Sequence, residues 1–397
     1  MLKVGIEHGD ITGDTDLPIQ AAIDYLSYIG GGTVKIGEGI YTINNTIHLR
    51  SNISIEGIAG KTVLRKCDNE ISCLSTDADE HEEQITLQNI GGFHPGQTVT
   101  VRESGKNHGF GVTVAVITGM SGNVLYLDRK LYRSYLKSEN AVVERNFPVI
   151  SGYDCEDICL KNIVIEGNRK NNSWLDGCRN AGIYFFQARN IEIDSCCVHN
   201  YNGDGISYQG CFDVTLKNCR CTGNGGKGIH PGSGTEQTVI IGCETTDNNL
   251  DGIFLCYRVR NSLVENCLSS GNGMSGLSIG HKDTHNIIRN NQFLDNHYYG
   301  IFFRNEPESM GADYNLVEGN LIKDNGCYTE NDKMGYVGIR IRGFTNHVKF
   351  VGNRIVFENA PLNMTIGICT EKDTHDNVFE NNEFVQCTKE FHTHWLL

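Results

Sequence analysis

Proline is scarce in this chain, with six in 397 residues, and tryptophan is scarcer at two. No apolar run approaches the roughly twenty residues that a membrane-spanning helix needs, so no membrane partner is expected. Basic runs are missing as well. Lys and Arg number 34 against 48 Asp and Glu, a formal net charge of -14, which argues against nucleic acid and anionic lipid surfaces as partners. No leader is visible in Met1 to Glu7, so a cytoplasmic location is expected unless a leader has been removed from a secreted protein. Glycine (46) and cysteine (16), by contrast, are abundant. Several cysteines recur at one slot of a repeat and the chain is long enough to build its own core, so reduced interior thiols are expected in place of a disulfide framework.

The repeat lies between Gly203 and Glu306. Asp204, Lys227, Asp251, Ser275 and Tyr299 each precede a glycine and then an aliphatic residue, and a short apolar-alternating segment, a second one and an Asn-containing turn follow. The slot late in each unit is held by Cys196, Cys219, Cys243, Cys267, Asn291, Asn320, Asn353 and Asn382, at separations of 23, 24, 24, 24, 29, 33 and 29 residues. Five residues after most of these stands a second column, Asn224, Asn248, Asn272, Asn296 and Asn325. A fixed period of short, β-branched, period-two segments with Gly and Asn turns is the pattern of a solenoid of strands. No unit carries a ten-residue helical stripe, so the crossovers of an α/β fold are absent. The expected architecture is all-β, a right-handed parallel β-helix in which each unit is one coil and equivalent positions stack about 4.8 Å apart. The glycine is expected to permit the tight turn into the first strand, the Asn columns to satisfy turn backbone groups, and the four cysteines to act as small buried fillers.

In chain order, residues 1–75 read as an N-terminal cap with first coils. An amphipathic helix starting near Asp14 to Pro18, with Ile19, Ala22, Ile23 and Leu26 as its apolar stripe, covers the open end of the core. Residues 76–148 break the period and read as a small antiparallel β insertion, able to wall a groove or make a subunit contact. Residues 149–390 are the coils, with longer loops at 168–179, 306–313 and 327–336, and residues 391–397 form a C-terminal plug. No cofactor is expected: His392 and His394 lack a third ligand nearby.

Because coils stack, polar clusters belong to columns. The first position after the glycine step, expected to point outward, reads Tyr184, Ser207, His230, Phe254, Ser278, Phe302 and Arg340, and the next outward position reads Phe186, Gln209, Gly232, Cys256, Gly280, Arg304 and Arg342. His281, Lys282, Asp283 and Glu306 lie at the edge of this face. Asp204 and Asp251 stand two coils apart, roughly 9.5 Å at the standard strand spacing, within the separation of an inverting acid/base pair. Lys227 between them favours charge on one, while burial protonates the other. A plain surface charge ladder is the competing reading. His230 interrupts an apolar strand position beside Pro231 and two glycines, a local rule-breaking that marks sites. Tyr184, Phe186, Phe254 and Phe302 offer stacking surfaces.

The cap, with Gly30 to Ile36 followed by Gly39 to Ile43, resembles that of the pectate-lyase-like β-helix superfamily. The stretch from Lys227 through Phe302 resembles carbohydrate-active β-helix repeats, including the mannuronan C5-epimerase group, although His230 to Ser233 replace that group's catalytic His and Asp residues. Ser275 to His281 is similar to a segment of polygalacturonase-type glycosidases. These resemblances imply an enzyme acting on an oligo- or polysaccharide. On the hydrolase reading Asp204 and Asp251 are acid and base, and His230 and His281 orient or relay protons. Lys227, Lys282, Asp283, Arg304, Glu306, Tyr184, Gln209 and Phe254 bind the sugar. A uronate lyase or epimerase using a His or Lys base, and a non-catalytic glycan-binding β-helix of the tailspike kind, are the alternatives. A trimer is the assembly implied by analogy.

Overall fold

A computed structural model of the chain describes residues 1–104, 111–327, 335–361 and 364–394. Among these residues three long parallel sheets, of 13, 11 and 11 strands, wind around one apolar core as a right-handed β-helix. The third sheet carries the outward columns and runs from Ile47–His48 through Ile150–Tyr153, Ala181–Phe186, Asp204–Gln209, Ile229–Gly232, Ile253–Phe254, Leu277–Ile279 and Tyr299–Phe303 to Lys389–His394. Its register pairs Tyr184 with Ser207, Ser207 with His230, Phe254 with Ser278, Ser278 with Phe302, and Phe302 with Arg340, which is the column order read from the repeat. Most of the 327–336 loop and the last three residues of the C-terminal plug lie outside the described residues. No helix of the described residues is long and apolar enough to cross a membrane.

Helix α1 (Asp16–Tyr28) closes one end of the core, with Ile19, Ala22, Ile23 and Leu26 all buried. The two Asn columns are hydrogen-bond ladders. Asn272, for example, accepts from the Asn248 backbone N–H at 3.1 Å and side chain at 3.0 Å, and donates to the Thr245 carbonyl at 2.9 Å and the Asn296 Oδ1 at 2.9 Å. In the cysteine half of the other column the thiols turn to main-chain carbonyls, as Cys219 Sγ does to Ile193 O at 3.4 Å. The residue before each slot takes left-handed backbone (Asn218, φ 52°; Gly242, φ 62°; Asn266, φ 53°), which explains the Asn and Gly found there.

The glycine before the aliphatic step has a different reason from the one expected. None of Gly205, Gly252, Gly276 or Gly300 lies in the left-handed region; instead, a Cβ there would sit 2.8 Å from Cys221 Sγ, 1.9 Å from Ser269 Oγ, 2.8 Å from Phe293 Cδ1 or 2.4 Å from Ile322 Cγ2. Close approach of backbone to the core, and not a turn, requires glycine at this step.

The insertion is a six-stranded antiparallel sheet that starts at Ile71–Cys73, somewhat earlier than its expected boundary, and ends at Val142–Glu144. It has its own core, built around Leu87, Val99, Val101, Ile117, Leu125 and Tyr135. Where it rejoins the coils, Lys66 is sealed inside. Its Nζ donates to Asn146 Oδ1 at 2.8 Å and Asn202 Oδ1 at 2.9 Å and stands over the rings of Phe147 and Tyr201. Burial brings its ammonium down to about 7.

Candidate functional site

Outward-facing residues of the third sheet converge as their columns predict, but an excursion of the chain at 168–180 folds over them and decides which ones reach solvent. Asp204 lies fully buried. Its Oδ1 accepts from the Lys227 backbone N–H at 2.8 Å, and its Oδ2 accepts from His230 Nδ1 at 2.6 Å. His230 is equally inaccessible, packed edge-on to Phe254 with ring centroids 5.2 Å apart. Burial and the Lys227 ammonium oppose charge on this ring; the Asp204 carboxylate and the Cys256 sulfur outweigh them and lift it to about 9. Beside it the Cys256 sulfur, and then burial, raise the Cys178 thiol, while the Cys178 thiol and His230 lower Cys256 against burial.

The sequence-level roles need correcting accordingly. Neither Asp204 nor His230 can touch a substrate, so Asp204 is not half of an acid/base pair with Asp251. Tyr184 is buried too, its hydroxyl donating to Cys178 O at 2.9 Å, and Gln209 is buried between Ser207, Ser233 and His230, so neither lines a sugar subsite directly. Asp283 is sealed beneath Arg304, accepting from Val259 N, Gly280 N and Arg304 Nη2 at 2.8, 2.9 and 3.1 Å. Phe254 is half-buried, and its ring engages Lys227 Nζ at 4.9 Å and Arg304 Cζ at 4.4 Å. Its π cloud serves two cations before any sugar.

A smaller set lies nearer to solvent, although Lys227 and Asp251 are themselves buried. Lys227 reaches past Asp204 (3.9 Å) to Asp176 Oδ2 (3.8 Å), a residue of the covering excursion that the column reasoning passed over. Burial opposes charge on Asp176, yet the Lys227 ammonium beside it outweighs this and holds the carboxyl below its usual range. Asp251 accepts from Ser275 N at 3.1 Å and is near enough to Lys227 and Arg304 to feel both cations, but burial prevails and raises its carboxyl. Farther along, His281 Nδ1 lies 3.2 Å from Glu306 Oε1 and its ring stacks on Tyr257, while Lys282 is exposed. Phe302 and Tyr299 form a half-buried aromatic pair at 5.0 Å.

At the other end of the face the insertion walls a cleft of about 430 Å³ lined by His48, Arg50, Thr98, Asp128, Arg129, Ser151 and Tyr153, among others. A cavity of about 210 Å³ continues it past Tyr132, Arg179 and Phe186. Arg129 donates through Nε and Nη2 to both oxygens of Asp128, at 3.1 and 2.9 Å, and stands over Tyr153. Burial lowers the His48 imidazole to about 4. The break in the repeat at 76–148 was the one signal of this cleft in the sequence.

Two overlapping matches to the model of the right-handed β-helix region, over residues 103–255 and 161–309, cover more than half of the chain. The chain belongs to the right-handed β-helix family. Its fold is similar to that of the Dettilon tailspike protein (TM-score 0.55, 12% identity, 95% of this chain and 64% of that one). It is also similar to the A-module of a mannuronan C-5 epimerase from Azotobacter vinelandii (0.51, 14%, 99% and 100%). A hyperthermoactive exopolygalacturonase from Thermotoga maritima gives a comparable match (0.51, 14%, 96% and 88%). No curated protein matches the sequence.

Proposed function

We propose that this protein is a carbohydrate-active β-helix that takes an oligo- or polysaccharide along the outer face of its third sheet and hydrolyses a glycosidic bond there. The observation that carries the reading is the pairing of two carboxylates in unlike settings around one ammonium: Asp251, buried and raised, and Asp176, at the mouth of the site 3.8 Å from Lys227 Nζ. Glycoside hydrolysis uses two carboxyl groups in opposite protonation states. In this reading Asp251 donates a proton to the leaving oxygen, Asp176 takes one from water, and Lys227 holds Asp176 in place. The Asp204–His230 pair acts from beneath by holding the Lys227 backbone and the floor of the site. Arg304, His281 and Lys282 meet hydroxyl or carboxylate groups of the sugar farther along, with Phe302 and Tyr299 as the apolar surface. Two of the structural neighbours described above are enzymes named for polysaccharides, which supports the substrate class. A product assay on neutral and uronate-containing glycans, following new reducing ends and ultraviolet absorbance together, tests the reading. Reducing ends without absorbance are expected. Absorbance would indicate eliminative cleavage by a lyase, and binding without consumption a glycan-binding module; either result overturns hydrolysis.

A further inference from the structure

The same face holds a second cluster, whose two cysteines hydrolysis does not use. Cys178 Sγ, Cys256 Sγ and a ring nitrogen of His230 all lie within 4.8 Å of one another, brought together from the covering excursion, the segment just past the strand Ile253–Phe254 and the strand Ile229–Gly232. From these atoms we infer a site for a thiophilic divalent transition metal of the zinc class, bound by the two sulfurs and the imidazole, with solvent as fourth ligand.

Three independent features point to it. First, the ring is oriented for coordination: Asp204 accepts from Nδ1 at 2.6 Å, which leaves Nε2 as the nitrogen that can exchange its proton for a metal, the carboxylate–histidine arrangement that supports metal-binding imidazoles. Second, Nε2 is a buried polar atom without a hydrogen-bond partner on a fully buried side chain, and the two cysteine sulfurs lie close to that ring. An orphaned buried polar atom is costly, and a metal that replaces its proton satisfies it. Third, the cysteines differ from those of the core ladder. Cys196, Cys219, Cys243 and Cys267 turn to main-chain carbonyls and, within the ladder, to one another, whereas Cys178 and Cys256 meet the imidazole of His230. Donor atoms around a tetrahedral zinc-class ion stand about 3.8 Å apart, so closing the cluster takes a shift of about 1 Å or less. Two thiolates and an imidazole suit Zn²⁺ or Co²⁺ and not Mg²⁺ or Ca²⁺, which require oxygen ligands. Bound there, the ion ties the excursion carrying Asp176 and Cys178 to the coils beneath it.

The test uses the whole chain, reduced and stripped with chelator under anaerobic conditions, then titrated with Co²⁺. One equivalent is expected to bind with the sulfur-to-cobalt charge-transfer band and visible d–d bands of a tetrahedral site. Cys178→Ser and Cys256→Ser should each abolish the charge-transfer intensity, while Cys73→Ser, at an exposed thiol, should retain it. Competition of Zn²⁺ with a chromogenic chelator in the parent protein should likewise show one tight equivalent, and zinc should slow proteolytic cleavage within 168–180. Absence of the band and of tight zinc uptake in the parent protein overturns the inference, as does a band that survives in both serine variants.

Discussion

Two of the places where this molecule buries polar side chains behave differently. Along the Asn ladders the buried amides are answered by neighbouring coils, so Asn272 joins the Asn248 N–H, the Thr245 carbonyl and the Asn296 amide. On the outer face of the third sheet the answering is incomplete. His230 Nε2 and Arg304 Nε are buried without hydrogen-bond partners, and carboxylates, ammonium, guanidinium and thiols crowd together. A fully satisfied network stabilises a fold, whereas groups left unsatisfied at a stability cost belong to a site.

Substitutions on the two sides should therefore separate activity from stability. Asp251→Asn removes the proposed proton donor while keeping its shape, and glycan turnover should fall by about 10² to 10⁴-fold with little change in melting temperature. Asn272→Ala should do the reverse. It strands the Asn248 donors and the Thr245 carbonyl, costing about 3 kcal/mol by urea unfolding, with turnover per folded molecule unchanged.

Lys66 sharpens the contrast, being a satisfied but buried cation. Its folded value of about 7 lies below the roughly 10.4 of an unfolded lysine, so the unfolded chain binds the extra proton between these pH values. This group's contribution therefore rises with pH across that window, by at most about 1.4 kcal/mol per pH unit, and is flat below it. Urea unfolding at pH 7, 8 and 9 should show the parent gaining stability relative to Lys66→Met as pH rises. The smallest effect is expected at the exposed Arg220–Glu244 pair (2.9 Å): Glu244→Gln should shift stability by less than about 0.5 kcal/mol.

The period, the parallel register and the outward columns were legible in the sequence because each coil repeats the same steric demands at the same positions: Asn or Gly before the slot, a β-branched or aliphatic residue inward. The depth of the site was not. Columns place Asp204 and Tyr184 on the outside, but the excursion at 168–180, whose path no repeat dictates, covers them. The same excursion supplies Asp176 and Cys178, which belong to no column, so their meeting with Lys227 and Cys256 depends on long-range folding alone. The glycine of each unit was legible as a requirement but not in its cause, because core contact and turn geometry leave the same residue.

The most direct measurement is a crystal structure of Asp251→Asn soaked with an oligosaccharide that the parent protein cleaves. The reading developed above predicts sugar density on the outer face of the third sheet, with a glycosidic oxygen beside residue 251 and rings extending toward Phe302 and Arg304. Density confined to the cleft between the insertion and the first coils, or to another side of the helix, would contradict it.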